Sequence, residues 1–324
     1  MCSQRVFGAR QPSLEQASLV AIGNFDGVHR GHQAVIAQAV RLAAESGLVP
    51  RVLTFDPHPA VVLGRASLPA LTSLPRKIEL LCRQSAQLQV VVEPFTVELA
   101  NTEPADFTRR LLVEALNAKQ VLVGENFRFG RGRAGDWAKL RELGDAQGFV
   151  AHAAALERDE AGAVSSTRVR AALEAGQLEH VEALLGRPHA LTGVVVRGQG
   201  RGRSIGVPTA NLSGFTEALP PHGVYAVLVD HARDGVFSAL AGGVANFGVR
   251  PTLDAGPSFE AHLFDTSLDL YGQELRVHLL GRLREERKFS GIDELRAQIA
   301  RDIEAARALT SRRLPDPSAL PAWY

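Results

Sequence analysis

Short apolar runs alternate with amphipathic stretches through the first half of the sequence, and this alternation restricts the fold more than any other feature. Residues 19–22 read as a buried strand, and residues 33–45 carry apolar side chains at helical spacing up to a break at Gly47. Residues 51–55 read as the next strand, which Asp56-Pro57-His58-Pro59 stops because proline cannot donate to a β-ladder. The pattern predicts a βαβ unit.

The same alternation continues along the first half of the chain. It predicts strands at residues 90–93 and 120–123 and helices near residues 104–115 and 136–147. Strands that alternate with helices are typical of a parallel sheet covered on both faces. We therefore expect an α/β, Rossmann-like N-terminal domain.

The pattern changes after Gly186. Closely spaced β-rich runs follow, separated by Gly, Pro and Asp: GVVVRG, GVYAVLV, FSALAGGVANFG, FEAHLFD and ELRVHLL. They predict an antiparallel barrel or sandwich, and a helix near residues 292–309 ends the pattern. A chain of 324 residues is long enough for two domains, and the segment LLGRPH supplies a boundary. We expect domains at 1–186 and 187–324.

The charge balance argues against a nucleic-acid partner. The chain has 36 Lys and Arg against 35 Asp and Glu, a net charge of +1, and only four of the basic residues are lysines. No apolar run is long enough for a membrane helix, and residues 1–18 lack the apolar core of a secretory signal. Cys2 and Cys82 are too few for a disulfide framework or a thiolate metal site, so we expect a cytoplasmic protein.

The segment AIGNFDGVHRGH, residues 21–32, occupies the first strand-to-helix turn. Ligands of open α/β sheets bind beyond the carboxyl ends of the strands, and a helix N-terminus attracts anions. Gly23 and Gly27 would let the backbone approach a phosphate, and His29 and His32 could face the same anion. No Walker motif occurs in the chain, and this turn does not match G-x-G-x-x-G. The turn therefore predicts a histidine-based nucleotide site.

This turn, together with TFDPHP (54–59), VGENFRFG (123–130) and SSTRVR (165–170), resembles the FMN adenylyltransferase half of bacterial bifunctional riboflavin kinase/FAD synthetases. The resemblance implies a nucleotidyltransferase domain in which His29 and His32 are catalytic and hold the phosphates of ATP. It also implies ATP or phosphate contacts at Gly23, Phe25, Asp26, Gly27, Asn126, Ser166, Thr167 and Arg168.

These residue types suit adenylyl transfer. The phosphate of FMN is already anionic, so its attack on the α-phosphate of ATP needs positioning and charge stabilisation rather than a strong base. A single histidine is more often structural, but two histidines at such a turn favour a ligand. The SSTRVR segment could also serve only to cap a helix.

The second candidate site is GQGRGRSIGVPTANL, residues 198–212. A glycine-rich loop with arginines can fold over phosphates, and the oxygens of Thr209 and Asn211 suit Mg²⁺. Taken alone, the loop could equally be a flexible connector or a weak RNA-binding segment.

The motifs PTAN, GVYAV, GVANFGVRPT, FEAHLFD, LYG and LREERKF follow in the order found in riboflavin kinases, which this half of the chain resembles. The resemblance implies a six-stranded antiparallel barrel with a terminal helix, Mg²⁺ held by Thr209 and Asn211, and Glu260 as the base for the ribityl 5′-hydroxyl. It places the kinase ATP phosphates against Gly198, Gly200, Gly202, Arg203, Thr209 and Asn211. Alternatively, Glu260 is only a solvent-facing strand residue, because Phe259 and Ala261 would then point inward.

The resemblance extends over residues 19–307 and departs from the family pattern at three positions. Asn126 replaces a common Asp, Thr266 an aromatic residue, and His189 a Tyr or Phe. We expect an enzyme that binds riboflavin, FMN and ATP and makes FMN and then FAD. The alternatives are a kinase whose N-terminal domain only binds nucleotide, a non-enzymatic flavin or nucleotide regulator, and an RNA-binding protein. The sequence does not determine the oligomeric state.

Overall fold

The computed structural model describes residues 15–64, 69–198, 202, 205–248 and 258–313, together with the backbone of 3–6, 249 and 257. The chain forms two compact units, residues 1–166 and 167–324. The predicted functional boundary at residues 186/187 lies 20 residues further along and stays a prediction. The predicted fold class, an α/β unit followed by an antiparallel barrel, is confirmed.

The first unit is built on a six-stranded parallel sheet with strand order β1-β4-β3-β2-β5-β6. Its strands are β1 Ser3–Val6, β2 Ser18–Ile22, β3 Val49–Asp56, β4 Gln89–Pro94, β5 Ala118–Gly124 and β6 Val150–Ala154. The strand order reverses between β2 and β5, which are neighbours in the sheet. This is the position where open α/β sheets bind ligands at their carboxyl edge.

The helices of the first unit cover both faces of the sheet. They are α1 Arg30–Glu45, α2 Pro59–Val62, α3 Leu74–Cys82, α4 Val97–Ala100, α5 Pro104–Phe107 and α6 Trp137–Gln147, with a 3₁₀ turn at Arg131–Arg133. A small hairpin pairs β7 Arg158–Asp159 with β8 Gly162–Ala163. Successive residues of β2 join opposite cores: Val20 packs with Leu53, and Leu19 packs with Val52. Each fully buried aliphatic side chain contributes about 1.5–3 kcal/mol.

The helix expected near residues 104–115 is divided in two. After α5 the chain continues as a π-helix, Thr108–Ala115. The Thr108 hydroxyl donates to the carbonyl oxygens of Pro104 (3.2 Å) and Ala105 (3.0 Å) at this junction. A threonine side chain that bonds back in this way competes for the carbonyls of the preceding turn, which accounts for the change of helix type.

The second unit is a closed antiparallel barrel with strand order β10-β13-β12-β11-β14-β9. Its elements are α7 Ser166–Glu174, α8 Leu178–Leu185, β9 His189–Val196, β10 Ala210–Ser213, β11 Gly223–Arg233, β12 Val236–Val249, β13 Pro257–Leu263, β14 Glu274–Arg284 and α9 Ile292–Thr310. The six-stranded barrel and the terminal helix were both expected. Strand β10 has only four residues, too few for the sequence pattern to show.

Alternation along the strands gives the barrel two covered faces. Val224, Ala226 and Leu228 of β11 pack in one cluster with Ala306 of α9. Because successive strand residues point to opposite faces, the fully buried Tyr225 between them points into the barrel. Helix α9 therefore covers part of the outer wall. Among the helices that the structure describes, none is both long and apolar enough to cross a membrane.

His189 opens β9 and is buried, with its Nε2 donating to the Ala218 carbonyl at 2.8 Å. Burial is the main cause that lowers its pKa from 6.5 to about 4, and the charges of Arg187 and Arg170 lower it further. Because the pKa of His189 is lower in the folded state than in the unfolded state, the neutral ring contributes to stability above pH 6.5. This contribution is lost as the pH falls towards 4.

We expect acid to destabilise the barrel through His189. The loss between neutral pH and pH 4 amounts to about 3 kcal/mol for this group. His189→Gln keeps a hydrogen-bond donor at the same position without a titrating ring. The unfolding free energy of wild type should therefore fall towards that of the variant by about 3 kcal/mol between neutral pH and pH 4. Urea unfolding of both proteins at several pH values measures it. A difference that is independent of pH would show that His189 does not titrate in this way.

Candidate active sites

The turn between β2 and α1 has an unusual backbone. Phe25, Gly27 and Val28 have φ values of 49°, 81° and 40°, all in the left-handed region. Glycine adopts this conformation freely, but for a residue such as Phe or Val it costs about 1–3 kcal/mol and persists only when the surroundings impose it. Such strain is typical of functional sites, and contacts from outside the turn must maintain it.

Asp26 provides several of these contacts. Its buried carboxylate Oδ1 accepts the backbone N–H groups of Leu71 (2.9 Å) and Thr72 (3.3 Å). The Thr72 hydroxyl oxygen accepts from the N–H of Gly27 at 3.2 Å, and the Ser166 hydroxyl donates to the Asp26 carbonyl at 2.9 Å. Asp26 thus faces peptide N–H groups and fixes the turn. The ATP contact predicted for it from the sequence stays a prediction.

The two histidines lie directly after the turn. His29 is the N-cap of α1, and its Nδ1 accepts the N–H of His32 at 3.3 Å. Because Nδ1 accepts in this contact, Nε2 is the ring nitrogen of His29 that can act as a donor. The two rings stack with centroids 3.6 Å apart, and the Phe25 ring packs edge-on against His32 at 5.1 Å. Two imidazole donors at a helix N-terminus can bind an anion.

The remaining predicted adenylyl-site residues lie at strand and helix ends. Asn126 is exposed in the turn after β5, the sheet neighbour of β2. Ser166 is the first residue of α7, and Thr167 and Arg168 lie in its first turn. Thr167 and Arg168 belong to the second compact unit. Gly23 donates its N–H to the Leu53 carbonyl at 3.1 Å, and the Phe25 ring leaves little room for a side chain there.

The second unit contains a cavity of about 290 Å³ on the outer side of the barrel. Strand residues Val224, Val244, Asn246, Glu260 and His262 line it, as do Leu295, Ile299 and Asp302 of α9 and Gly202, Val207 and Thr209 of the preceding segment. Phe259 and Ala261 are buried on the opposite face of β13, as the alternation predicts. The face that carries Glu260 is partly covered by α9 and by the segment near Thr209, and Glu260 itself is half-buried.

Polar contacts orient the Glu260 carboxylate. Its Oε2 accepts the hydroxyl of Thr209 at 3.4 Å, and its Oε1 accepts the hydroxyl of Ser258 at 3.2 Å. Asn211 pairs with Glu260 across the β10–β13 ladder and is buried. The arrangement offers one carboxylate, two hydroxyls and one amide close together, which suits both a proton acceptor and phosphate chemistry.

The glycines near this site have steric reasons to be glycines. A side chain at Gly198 would collide with the Asn211 amide, and one at Gly202 would collide with the Val207 carbonyl. Both residues let the loop approach the site closely. The predicted phosphate contacts at Gly200 and Arg203 lie outside the described residues.

The donor set around Thr209 suits a hard cation. In the part of the chain that the structure describes, no group of three or more His, Cys, Asp or Glu residues could hold a metal ion. Mg²⁺ commonly has only a few protein ligands, all of them oxygen atoms, when substrate phosphates and water complete its coordination. Thr209, Asn211 and Glu260 are therefore chemically compatible with Mg²⁺ bound together with ATP.

An ion pair at this cavity is not predictable from the local sequence. Arg284 at the end of β14 binds both carboxylate oxygens of Asp302 on α9 at 2.8–3.1 Å, and Gln298 donates to the same carboxylate at 2.7 Å. This ion pair fixes α9, which forms one wall of the cavity, against the barrel. The segment LREERKF was noted, but in a chain so rich in arginine no single arginine stands out.

His262 also lines the cavity, and no motif in the sequence predicts a role for it. Its Nδ1 lies 2.8 Å from the Pro208 carbonyl and therefore donates to it, which ties the residue before Thr209 to β13. We expect His262→Asn, whose amide nitrogen occupies the place of Nδ1, to keep the riboflavin kinase activity that the sequence resemblance implies within about threefold of wild type. His262→Gln moves the donor to the other ring position and should cost about tenfold in kcat/KM for ATP. Steady-state kinetics of both variants test this role, and equal activities would contradict it.

Comparison with known proteins agrees with this two-site architecture. The family model for FAD synthetase matches residues 11–168, and the family model for riboflavin kinase matches residues 185–310. The solved structure of a macrolide-efflux protein from Streptococcus pneumoniae superimposes with a TM-score of 0.83 at 29% identity, covering 94% of this chain and 98% of its own.

Curated relatives cover nearly the whole chain. The bifunctional riboflavin kinase/FMN adenylyltransferase of Pseudomonas fluorescens is 38% identical over 95% of this chain and 98% of its own length. The enzyme of the same name from Escherichia coli K12 is 39% identical over 90% and 93%, and that from Bacillus subtilis 37% over 90% and 92%. The chain belongs to the bifunctional riboflavin kinase/FMN adenylyltransferase family.

Proposed function

We propose that the two sites divide the work of a bifunctional enzyme. The chain phosphorylates riboflavin with ATP to FMN, and then adenylylates FMN with a second ATP to FAD, releasing pyrophosphate. The contrast between the sites supports the division: the β2–α1 turn offers two imidazole donors, whereas the barrel cavity offers the Glu260 carboxylate. Each chemistry needs one of these arrangements.

Adenylyl transfer belongs at the β2–α1 turn. The attacking FMN phosphate needs no base, so the site has to orient ATP and stabilise the charge that develops on its α-phosphate. Nε2 of His29 and of His32 and the first N–H groups of α1 supply donors, with Gly23, Phe25 and Gly27 forming the turn around the anion. The family resemblance also assigns ATP-phosphate contacts to Asn126, Ser166, Thr167 and Arg168, and these assignments stay predictions.

Phosphoryl transfer belongs at the barrel cavity. The ribityl 5′-hydroxyl must lose a proton as its oxygen attacks the γ-phosphate, and Glu260 accepts that proton. Thr209 and Asn211 would hold Mg²⁺, which would neutralise charge on the ATP phosphates. Gly198 and Gly202 let the loop approach these phosphates closely. The hydroxyls of Thr209 and Ser258 keep the Glu260 carboxylate in one orientation.

One time course tests the whole assignment. Purified protein is incubated with riboflavin, ATP and Mg²⁺, and the flavins are resolved by chromatography. FMN should appear first and FAD should follow. FMN without FAD would indicate a kinase whose first unit only binds nucleotide, and neither product would indicate a regulator. A parallel incubation with a chelator tests the Mg²⁺ requirement of both steps.

Three further expectations concern the cellular location and the binding partners of the protein. A cytoplasmic location rests on the low cysteine content, and the lack of a nucleic-acid partner rests on the net charge of +1. The substrates are small molecules: riboflavin, FMN and ATP.

A further inference from the structure

Lys77 on α3 is a buried charge to which the two reactions assign no role. It is one of four lysines in the chain, and its side chain is 8% exposed. Its ammonium nitrogen donates to the carbonyl oxygens of Phe55 at 3.1 Å and Asn24 at 3.4 Å. These carbonyls lie at the carboxyl ends of two neighbouring strands, so Lys77 joins β3 to the turn that follows β2.

Burial disfavours the charged form of Lys77, and nearby carboxylates favour it. Burial lowers its pKa, while the carboxylates of Asp26 and Asp56 act to raise it. A buried ammonium group is costly unless charges and hydrogen bonds compensate it. An apolar residue could fill this space without that cost, so the ammonium group itself calls for an explanation.

The Asn24 carbonyl connects Lys77 to the histidine pair. It precedes Phe25, whose φ of 49° is in the strained region, and it also accepts the Thr54 hydroxyl at 3.0 Å. Two donors on one carbonyl fix the orientation of the peptide group before Phe25. The Phe25 ring packs edge-on against the His32 ring at 5.1 Å, so a rotation of that peptide would move a ring that His32 contacts.

We propose that Lys77 is a positioning residue for adenylyl transfer: its ammonium group holds the Asn24 carbonyl and thereby sets the positions of Phe25 and His32. The inference rests on the proposed function of the β2–α1 turn. Lys77 does not touch the substrates. It acts through the strained turn, which needs contacts from outside to keep its conformation.

Lys77→Met tests the proposal, because it keeps the length of the side chain and removes the charge and the donor. The matched control is Lys139→Met, on α6 of the same unit, where Lys139 pairs with Glu142 on its own helix. We expect Lys77→Met to lower kcat for FAD formation about 30–100-fold, since a displacement of about 1 Å costs about that much, with the KM for ATP changed less than fivefold. Riboflavin phosphorylation in the same protein and both activities of Lys139→Met should stay within about twofold of wild type.

A purely structural role predicts another result. Lys77→Met would then lower the melting temperature but leave kcat for FAD formation normal below the transition, and this would overturn the proposal. If Lys77→Met fails to fold, Thr54→Val removes the other donor to Asn24 with little change of shape. It should lower the same kcat about three- to tenfold, and an unchanged kcat would refute the proposal.

The test also separates this inference from the proposed function. If replacing both His29 and His32 leaves FAD formation intact, the site itself is assigned wrongly. If that replacement abolishes FAD formation while Lys77→Met and Thr54→Val are both fully active, only the role of Lys77 is wrong.

Discussion

Glu260→Gln should abolish the conversion of riboflavin to FMN, with a loss in kcat of about 1,000-fold, and leave the conversion of FMN to FAD close to the wild-type rate. A general base contributes about 10²–10⁴ to such a step, and glutamine has almost the shape of glutamate but cannot take a proton. Its carbonyl oxygen can still accept one of the hydroxyls of Thr209 and Ser258 that hold the carboxylate in place. Separate assays with riboflavin and with FMN as substrates measure the two effects.

The control for this variant is Glu274→Gln, an exposed carboxylate at the start of β14. It should leave both activities unchanged. Glu260→Ala should behave like Glu260→Gln in the kinase assay. If both activities fall together in a protein that keeps its fold, the division of the reactions between the two units is wrong.

The reverse pattern is expected when both histidines of the β2–α1 turn are replaced. His29→Ala combined with His32→Ala should lower FAD formation by at least about 1,000-fold, because one donor to a developing charge is worth about 10²–10³, while FMN formation continues. Supplied with riboflavin and ATP, this variant should accumulate FMN. Chromatography of the flavins at several time points measures the accumulation.

Loss of the helix cap has to be separated from loss of catalysis. His29 caps α1 through its Nδ1, and loss of an N-cap costs about 0.5–2 kcal/mol. His29→Asn with His32→Asn restores a good cap but lacks the Nε2 donors, so it should be as inactive as the alanine variant and more stable. His152→Asn, on β6 of the same unit, is the control. FAD synthesis at the normal rate would remove the histidine pair from the mechanism.

The sequence predicts the sheet of the first unit well for a physical reason. Its strands are buried on both faces and read as continuous apolar runs, whereas its helices are buried on one face and repeat apolar residues every three to four positions. The two patterns are easy to tell apart in residues 19–147. The sequence does not predict the π-helix at Thr108–Ala115, where a side chain competes with backbone bonding, or the four-residue strand β10, which a neighbouring strand stabilises rather than its own pattern.

The candidate sites were predicted as local motifs, and their supports were not. The turn and the histidines lie within ten residues of each other, whereas Asp26 reaches the backbone at Leu71 and Lys77 reaches Asn24, some 45 and 53 residues apart in sequence. The partner of Arg284, Asp302 on α9, could not be predicted for the same reason. Hydrogen bonds between distant segments leave no periodic signal in a single sequence.

The closure of the barrel has a consequence for the order in which the enzyme becomes active on the ribosome. Strand β9 pairs with β14, whose partners lie 80–90 residues further along the chain, and α9 forms a cavity wall only after that. Domains emerge and fold from the N-terminus, and pairings so distant are slow to form. A nascent chain would thus possess the machinery for the second reaction before it could perform the first.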